Sequence, residues 1–153
     1  MKVLIAYDSV SPNKNTEKVA ETIRDVLKTK GIDARGSFVK NVVPSSVSGY
    51  DCLIVGSPTQ AWRATALTRD LLNNLAPQSA FGKQGAAFDT RMKTRLAGGA
   101  KEGIENKLKQ LGYKILLPGL AAYVEDGKPQ FILMEGELEK TRQFAEQIAE
   151  ALH

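Results

Sequence analysis

Histidine, cysteine and tryptophan are almost missing from this chain, with one of each among 153 residues. The lone histidine, His153, is the last residue, so neither a histidine acid–base pair nor a histidine metal cluster has material. A single cysteine, Cys52, cannot close an internal disulfide. It lies in an apolar run with no basic partner beside it, which makes a nucleophilic enzyme improbable. A structural thiol in a reducing compartment, the cytoplasm, is the expectation. No apolar run approaches the roughly 20 residues of a spanning helix. The apolar stretch near the N-terminus is too short for a signal peptide. Glycine-rich nucleotide fingerprints of the Gly-x-Gly-x-x-Gly and Walker kinds are also absent.

What is present suits one ordinary domain over residues 1–153. Hydrophobic residues make up 42% and charged residues 25%, which argues against disorder and leaves enough apolar material for a core. The formal net charge is +4 and the pI about 9.2. That excess is local. Segment 83–101 holds Lys83, Arg91, Lys93, Arg95 and Lys101 against Asp89 alone. Without interleaved aromatics or a matching helix face, it does not read as a nucleic-acid patch. It fits an anionic small ligand or an acidic partner surface.

Along the chain, strands and helices alternate. Residues 2–7 are a continuous apolar run, as in a strand covered on both faces. Turn residues follow through Asn15, and from Thr16 the apolar positions Val19, Ala20, Ile23 and Leu27 share one helical face, closed by Gly31. A half-exposed segment over 32–39 predicts an edge strand. After a turn at Pro44–Gly49, Asp51 to Gly56 is a second buried strand. Thr65 can cap a helix with Leu67, Leu71, Leu72 and Leu75 inward, stopped by Pro77. Gly85 to Asp89 is a strand, 90–99 a basic loop, and Ile104, Leu108 and Leu111 mark a helix ending at Gly112. Lys114 to Leu117 predicts a strand continuing through Leu120 to Val124 beyond Pro118-Gly119. A turn at 126–129, an apolar extension at 130–134, and a helix over 136–152 with Leu138, Thr141, Ala145, Ile148 and Leu152 inward complete the chain. About five strands and five helices in alternation argue a parallel sheet covered on both faces.

Three loops would then share one edge of that sheet. The first carries hydroxyl and amide side chains into a helix start, which suits a phosphate site or an ordinary turn with its cap. The second holds Trp62, which can cover a flat aromatic ligand while the backbone of 57–61 meets its polar edge, or can anchor the loop. In the third, Arg91, Lys93 and Arg95 can neutralise a phosphate, a reduced flavin anion or a partner's carboxylates, or be merely solvated.

Tyr7-Asp8-Ser9, with Asn15-Thr16-Glu17-Lys18-Val19-Ala20-Glu21 after it, resembles the phosphate signature of the flavodoxin family. Gly56-Ser57-Pro58-Thr59 with Trp62 resembles that family's second flavin loop. Phe88-Asp89-Thr90-Arg91, Gly98-Gly99-Ala100-Lys101 and Gly136-Glu137-Leu138-Glu139 are similar to a bacterial and archaeal flavodoxin-like subgroup. The match spans nearly the whole chain in order and spacing. It implies a three-layer open α/β sandwich with a five-stranded parallel sheet in the order 2-1-3-4-5. It also implies bound flavin mononucleotide (FMN), in sheets that take ligands where strand order reverses, a rule flavodoxins themselves exemplify. Ser9, Ser11, Asn13, Asn15 and Thr16 would hold the phosphate, joined by Lys14 where the family has glycine. Ser57, Pro58, Thr59, Gln60, Ala61 and Trp62, with Asp89, Thr90 and Arg91, would bracket the ring. The third loop lacks the family's stacking tyrosine, leaving Met92 or Phe88 in that place. Flavodoxins are usually acidic, so a basic carrier is expected to meet acidic partners.

A phosphoacceptor receiver domain shares this topology but needs an acidic cluster after strand one, where Asp8 stands alone. Three functions fit the pattern: an FMN electron carrier, an NAD(P)H-dependent quinone-type flavin reductase using Arg91 and Arg95, or a module that has lost FMN and binds a protein or another anion.

Overall fold

A computed structural model of the protein describes residues 1–76, 82–93 and 98–152. Strand β1 (Lys2–Tyr7) is buried from Val3 onward, and β3 (Cys52–Pro58) and β4 (Gln84–Met92) are buried along most of their length. Their unbroken apolar runs reflect helices on both sides. The sheet runs β2 (Asp33–Phe38), β1, β3, β4, β6 (Leu120–Asp126), β7 (Phe131–Leu133), with β5 (Lys114–Ile115) also paired to β4. All pairings are parallel except β6 with β7.

The expected order 2-1-3-4-5 is present, with its fifth place shared by two strands. Gln84 pairs with Lys114 at one end of β4, and Phe88 with Leu120 further along. Pro118 and Gly119 interrupt the strand between them, because proline cannot donate to the ladder. The antiparallel β7 adds a strand to the five expected; it is the apolar extension after the 126–129 turn.

Helices α1 (Asn15–Thr29) and α4 (Glu137–Ala151) cover one face. Helices α2 (Ala66–Asn73) and α3 (Ala100–Gln110) cover the other. Among the described residues there are four α-helices rather than about five, because 3-10 turns at Val39–Asn41 and Pro44–Gly49 make the connection from β2 to β3. Val19, Ile23, Leu27, Phe144 and Ile148 pack with Ile5, Ile54 and Phe88 on the first face. On the second, Leu71, Leu72, Ile104 and Leu108 meet Leu4, Leu53 and Val55.

Several local expectations change. Leu67 is exposed, since Thr68 takes the inward position in the first turn of α2, and Phe144 joins the core unforeseen. Phe88 lies fully buried with its ring over Gly56, where a Cβ would collide with it, so it cannot face a ligand. The third loop begins later than expected, since Thr90, Arg91 and Met92 continue β4 alongside β6. Pro77, Arg95 and His153 lie outside the described residues.

Candidate functional site

The carboxyl ends of β1, β3, β4 and β6 open into one cavity of about 360 Å³. It lies where the chain, having placed β2 on one side of β1, crosses to place β3 on the other. Its walls are Val10, Ser11, Asn15 and Thr16 from the first loop, Pro58, Thr59 and Gln60 from the second, Thr90, Arg91 and Met92 from β4, and Val124, Gln130 and Phe131 from the β6–β7 hairpin.

The first loop closes on itself. The Lys14 N–H donates to the Ser11 carbonyl (2.9 Å), and the Asn13 N–H to Ser11 Oγ (3.3 Å). Lys14 takes the left-handed conformation (φ 54°) and precedes α1 without a side-chain cap. A helix start leaves its first N–H groups without intrahelical partners. Here the Glu17 N–H finds Ser9 Oγ at 3.4 Å. The side-chain amides of Asn13 and Asn15 both donate to the Phe131 carbonyl (2.8 and 3.0 Å), and Asn13 also to that of Lys128 (3.3 Å). That clamp ties the first loop to the hairpin. It leaves Asn15 Oδ1 buried without a partner, at a residue only 3% exposed on the cavity wall. Thr16 Oγ1 and Thr90 Oγ1 share a buried hydrogen bond of 2.8 Å.

The second loop is a tight hairpin. Gln60 and Arg63 exchange two backbone hydrogen bonds (2.8 and 3.1 Å), with Ala61 (φ 48°) and Trp62 (φ 65°) at the turn. Two left-handed central residues define the turn that normally takes Asn-Gly. Trp62 is 67% exposed at the tip, so it does not anchor the loop. Anchoring falls to Ser57, whose Oγ accepts the Thr65 N–H (3.0 Å), and to Asp8, which accepts the Thr65 hydroxyl (2.6 Å) and the Ser9 N–H (2.9 Å). Among the described residues, the non-glycine residues at positive φ are Lys14, Ala61 and Trp62, all in these two loops. Each such residue costs about 1–2 kcal/mol.

At the end of β4, Asp89 is fully buried. Arg91 grips it through Nε (3.0 Å) and a terminal nitrogen (2.7 Å), and reaches Glu102 at 3.0 Å. Residues two apart on a strand share a face, which places the pair. Asp89 also accepts the Lys101 N–H (2.9 Å), and Thr59 Oγ1 accepts that of Ala100 (3.0 Å), so both cap α3. Burial opposes charge on both Arg91 and Glu102. Pairing outweighs it: Asp89 first and Glu102 second raise Arg91, and Arg91 lowers Glu102. The Arg91 charge is met by two carboxylates and is not available as the anion-binding group expected of it.

Ser11, Asn15, Thr16, Pro58, Thr59, Gln60, Thr90 and Arg91 thus meet at the cavity. Ser9, Asn13, Lys14, Ser57, Ala61, Trp62 and Asp89 surround or brace it without lining it. Val10, Met92, Val124, Gln130 and Phe131 line it as well. Of these, the sequence offers Met92 as a candidate, while Phe131 reads only as part of the apolar extension at 130–134. Cys52 is remote, and burial above all, with the Asp51 charge, pushes its thiol up to about 12.

The fold is that of an open, doubly wound α/β protein with a cavity at the strand-order switch point, the place where such sheets take ligands. No protein-family profile matches the chain. Flavodoxin 1 from Bacillus cereus superimposes with a TM-score of 0.83 at 22% identity, covering 100% of each chain. A flavodoxin from the domain Archaea matches with 0.82 at 24%, covering 99% of each. Flavodoxin 2 from Bacillus cereus gives 0.81 at 26%, covering 98% of this chain and 99% of that one. The chain is flavodoxin-like in fold along its whole length.

Proposed function

We propose that residues 1–153 act as one unit, an FMN-binding electron carrier of the cytoplasm. The observation that carries this reading is the buried, unpartnered Asn15 Oδ1 on the cavity wall, beside a helix start without a side-chain cap. A buried carbonyl oxygen without a donor costs about 1–3 kcal/mol. The cavity therefore suits a ligand offering both hydroxyl donors and an anion, and a flavin's ribityl phosphate offers both. Helix-start N–H groups and the hydroxyls of Ser9 and Ser11, with Lys14 nearby, would hold the phosphate. Asn15 would accept a ribityl hydroxyl. Pro58, Thr59, Gln60 and Met92 would flank the ring, with Trp62 at the rim. Bound flavin supplies one- and two-electron transfer.

Three further features support the reading. Strain at Lys14, Ala61 and Trp62 falls where a ligand would be gripped, as stored strain often does. Lys14 takes a left-handed conformation that suits glycine, the residue the resemblance leads one to expect there. The single unpaired Cys52 suits a reducing compartment. The reductase reading rested on Arg91 and Arg95; Arg91 is engaged by Asp89 and Glu102, and Arg95 lies outside the described residues. No helix among the described residues is long and apolar enough to cross a membrane.

Titration with FMN, followed by flavin fluorescence, tests this. Uptake near one per chain with quenching is the expected result. Asn15→Leu should weaken it about tenfold, the scale of one lost buried hydrogen bond. No uptake at high micromolar FMN overturns the proposal.

A further inference from the structure

A second concavity, of about 170 Å³, lies between α2 and α3, away from the cavity described above. Ala64, Leu72 and Ile104 form its floor, all buried hydrophobic residues. Arg63, Arg69 and Lys107 line it, and no carboxylate does. Among the described residues none of the three cations makes a salt bridge; Arg69 Nε donates to the Ala64 carbonyl (3.2 Å), which holds its guanidinium over the groove. By contrast Lys101, on the same helix as Lys107, lies 3.4 Å from Glu102.

Gly103 completes the wall. It stands inside α3, where glycine costs about 1 kcal/mol relative to alanine. Nothing lies within 4 Å of where its Cβ would be, and its φ is not in the left-handed range. Neither packing nor backbone geometry calls for glycine there. Its effect is to keep the groove open and the α3 backbone approachable.

The volume is below the roughly 300–1,000 Å³ of small-molecule pockets, and suits one bulky side chain. An apolar floor under unpaired cations selects an apolar residue flanked by carboxylates. We propose that this groove is the seat of an acidic segment of a partner protein, which inserts one apolar side chain above Leu72 and Ile104 and pairs its carboxylates with Arg63, Arg69 and Lys107. Arg63 closes the hairpin whose tip carries Trp62, so a partner seated here abuts the rim of the first cavity. That the partner exchanges electrons rests on the carrier reading above; the docking does not.

The test is a backbone-amide NMR titration of the full chain, with and without added FMN. The probe is a blocked synthetic peptide, Glu-Asp-Leu-Glu-Asp. Saturable shifts at Ala64, Gly103, Ile104 and Lys107 are expected, weakening with salt. Gly103→Glu and, as a second variant, Arg69→Gln should each lower affinity at least about tenfold, with circular dichroism confirming that both fold. Replacing the probe's leucine by aspartate should do the same. Shifts confined to Lys14 and Lys93, equal binding by both variants, or equal displacement by citrate would overturn the proposal. Groove shifts in a protein that takes up no FMN would sink the carrier reading and keep the docking seat. FMN uptake without groove shifts would do the reverse.

Discussion

The two helical layers of this molecule differ in how closely their helices meet. On one face α1 and α4, each of 15 residues, lie side by side and bury Val19, Ile23, Leu27, Phe144 and Ile148, with a concavity of about 330 Å³ past the end of α1, between Lys30 and Ile32 and the last turns of α4. On the other, α2 and α3 have 8 and 11 residues and leave a groove between them. The first layer adds to its hydrocarbon polar ties at its helix starts, where Asn15 donates to the Phe131 carbonyl, Thr16 bonds Thr90 and Glu137 accepts the Tyr123 N–H. The second has its own apolar floor but is fastened at the start of α3 by polar groups: Asp89 and Thr59 receive its first N–H groups, and Arg91 spans from Asp89 to Glu102. A closed layer maintains the fold. An open one, with a polar hinge at its ligand end, is where a binding protein can spend stability on contact.

The largest expected effect tests the polar fastening. Arg91→Met should cost about 3–5 kcal/mol in urea unfolding, because it strands the Asp89 charge in the interior. A loss under 1 kcal/mol would mean that the open layer is held by its apolar floor alone. Ile23→Ala on the closed face should cost about 2–5 kcal/mol through lost burial and the cavity left behind. Hydrogen exchange should show that loss spreading across both layers, since the sheet is shared. Lys14→Gly should stabilise the free protein by about 1 kcal/mol by relieving the left-handed residue, while weakening FMN uptake if the lysine charge matters. Gly103→Ala should raise stability by about 0.5–1 kcal/mol; no gain would show that glycine is needed there for a reason other than an open groove.

The smallest effect is in pH. Glu102 is held below its ordinary range by Arg91 despite the opposing effect of burial. A carboxyl lowered on folding contributes stability above its unfolded pKa, near 4.3, and loses it as pH falls through the lower folded value. Because Glu102 is exposed, the loss should be slight and confined to the open layer. Protection from exchange at the start of α3, taken relative to the intrinsic rate at each pH, should fall on acidification before protection in α1 does. Simultaneous loss would erase the distinction between the layers.

Much of this was legible in the chain. The runs at residues 2–7 and 52–56 read as buried strands because both faces are covered, and Gly31, Thr65 and Gly112 marked helix ends through local geometry alone. Loop order around the site followed from the alternation. What escaped depended on tertiary context. Leu67 fits the helical period, yet Thr68 takes the inward place in that turn, with Leu71, Leu72 and Leu75 after it, and leaves Leu67 at the edge of the buried face. Pro118-Gly119 gave the break but not the fact that both halves pair with β4. Arg91 read as a free cation; the cue to its pairing was Asp89 two residues earlier on the same strand face. The Asn13 and Asn15 clamp on the Phe131 carbonyl joins positions 118 and 116 residues apart, a distance no local pattern spans.

The hairpin tip has a practical consequence. Because Trp62 is the only tryptophan and stands in water at the rim of both concavities, the protein carries its own optical reporter. Excited selectively, its emission comes from one known position. Either ligand should alter that emission without any attached dye, and a partner that shields it should move the colour toward the blue.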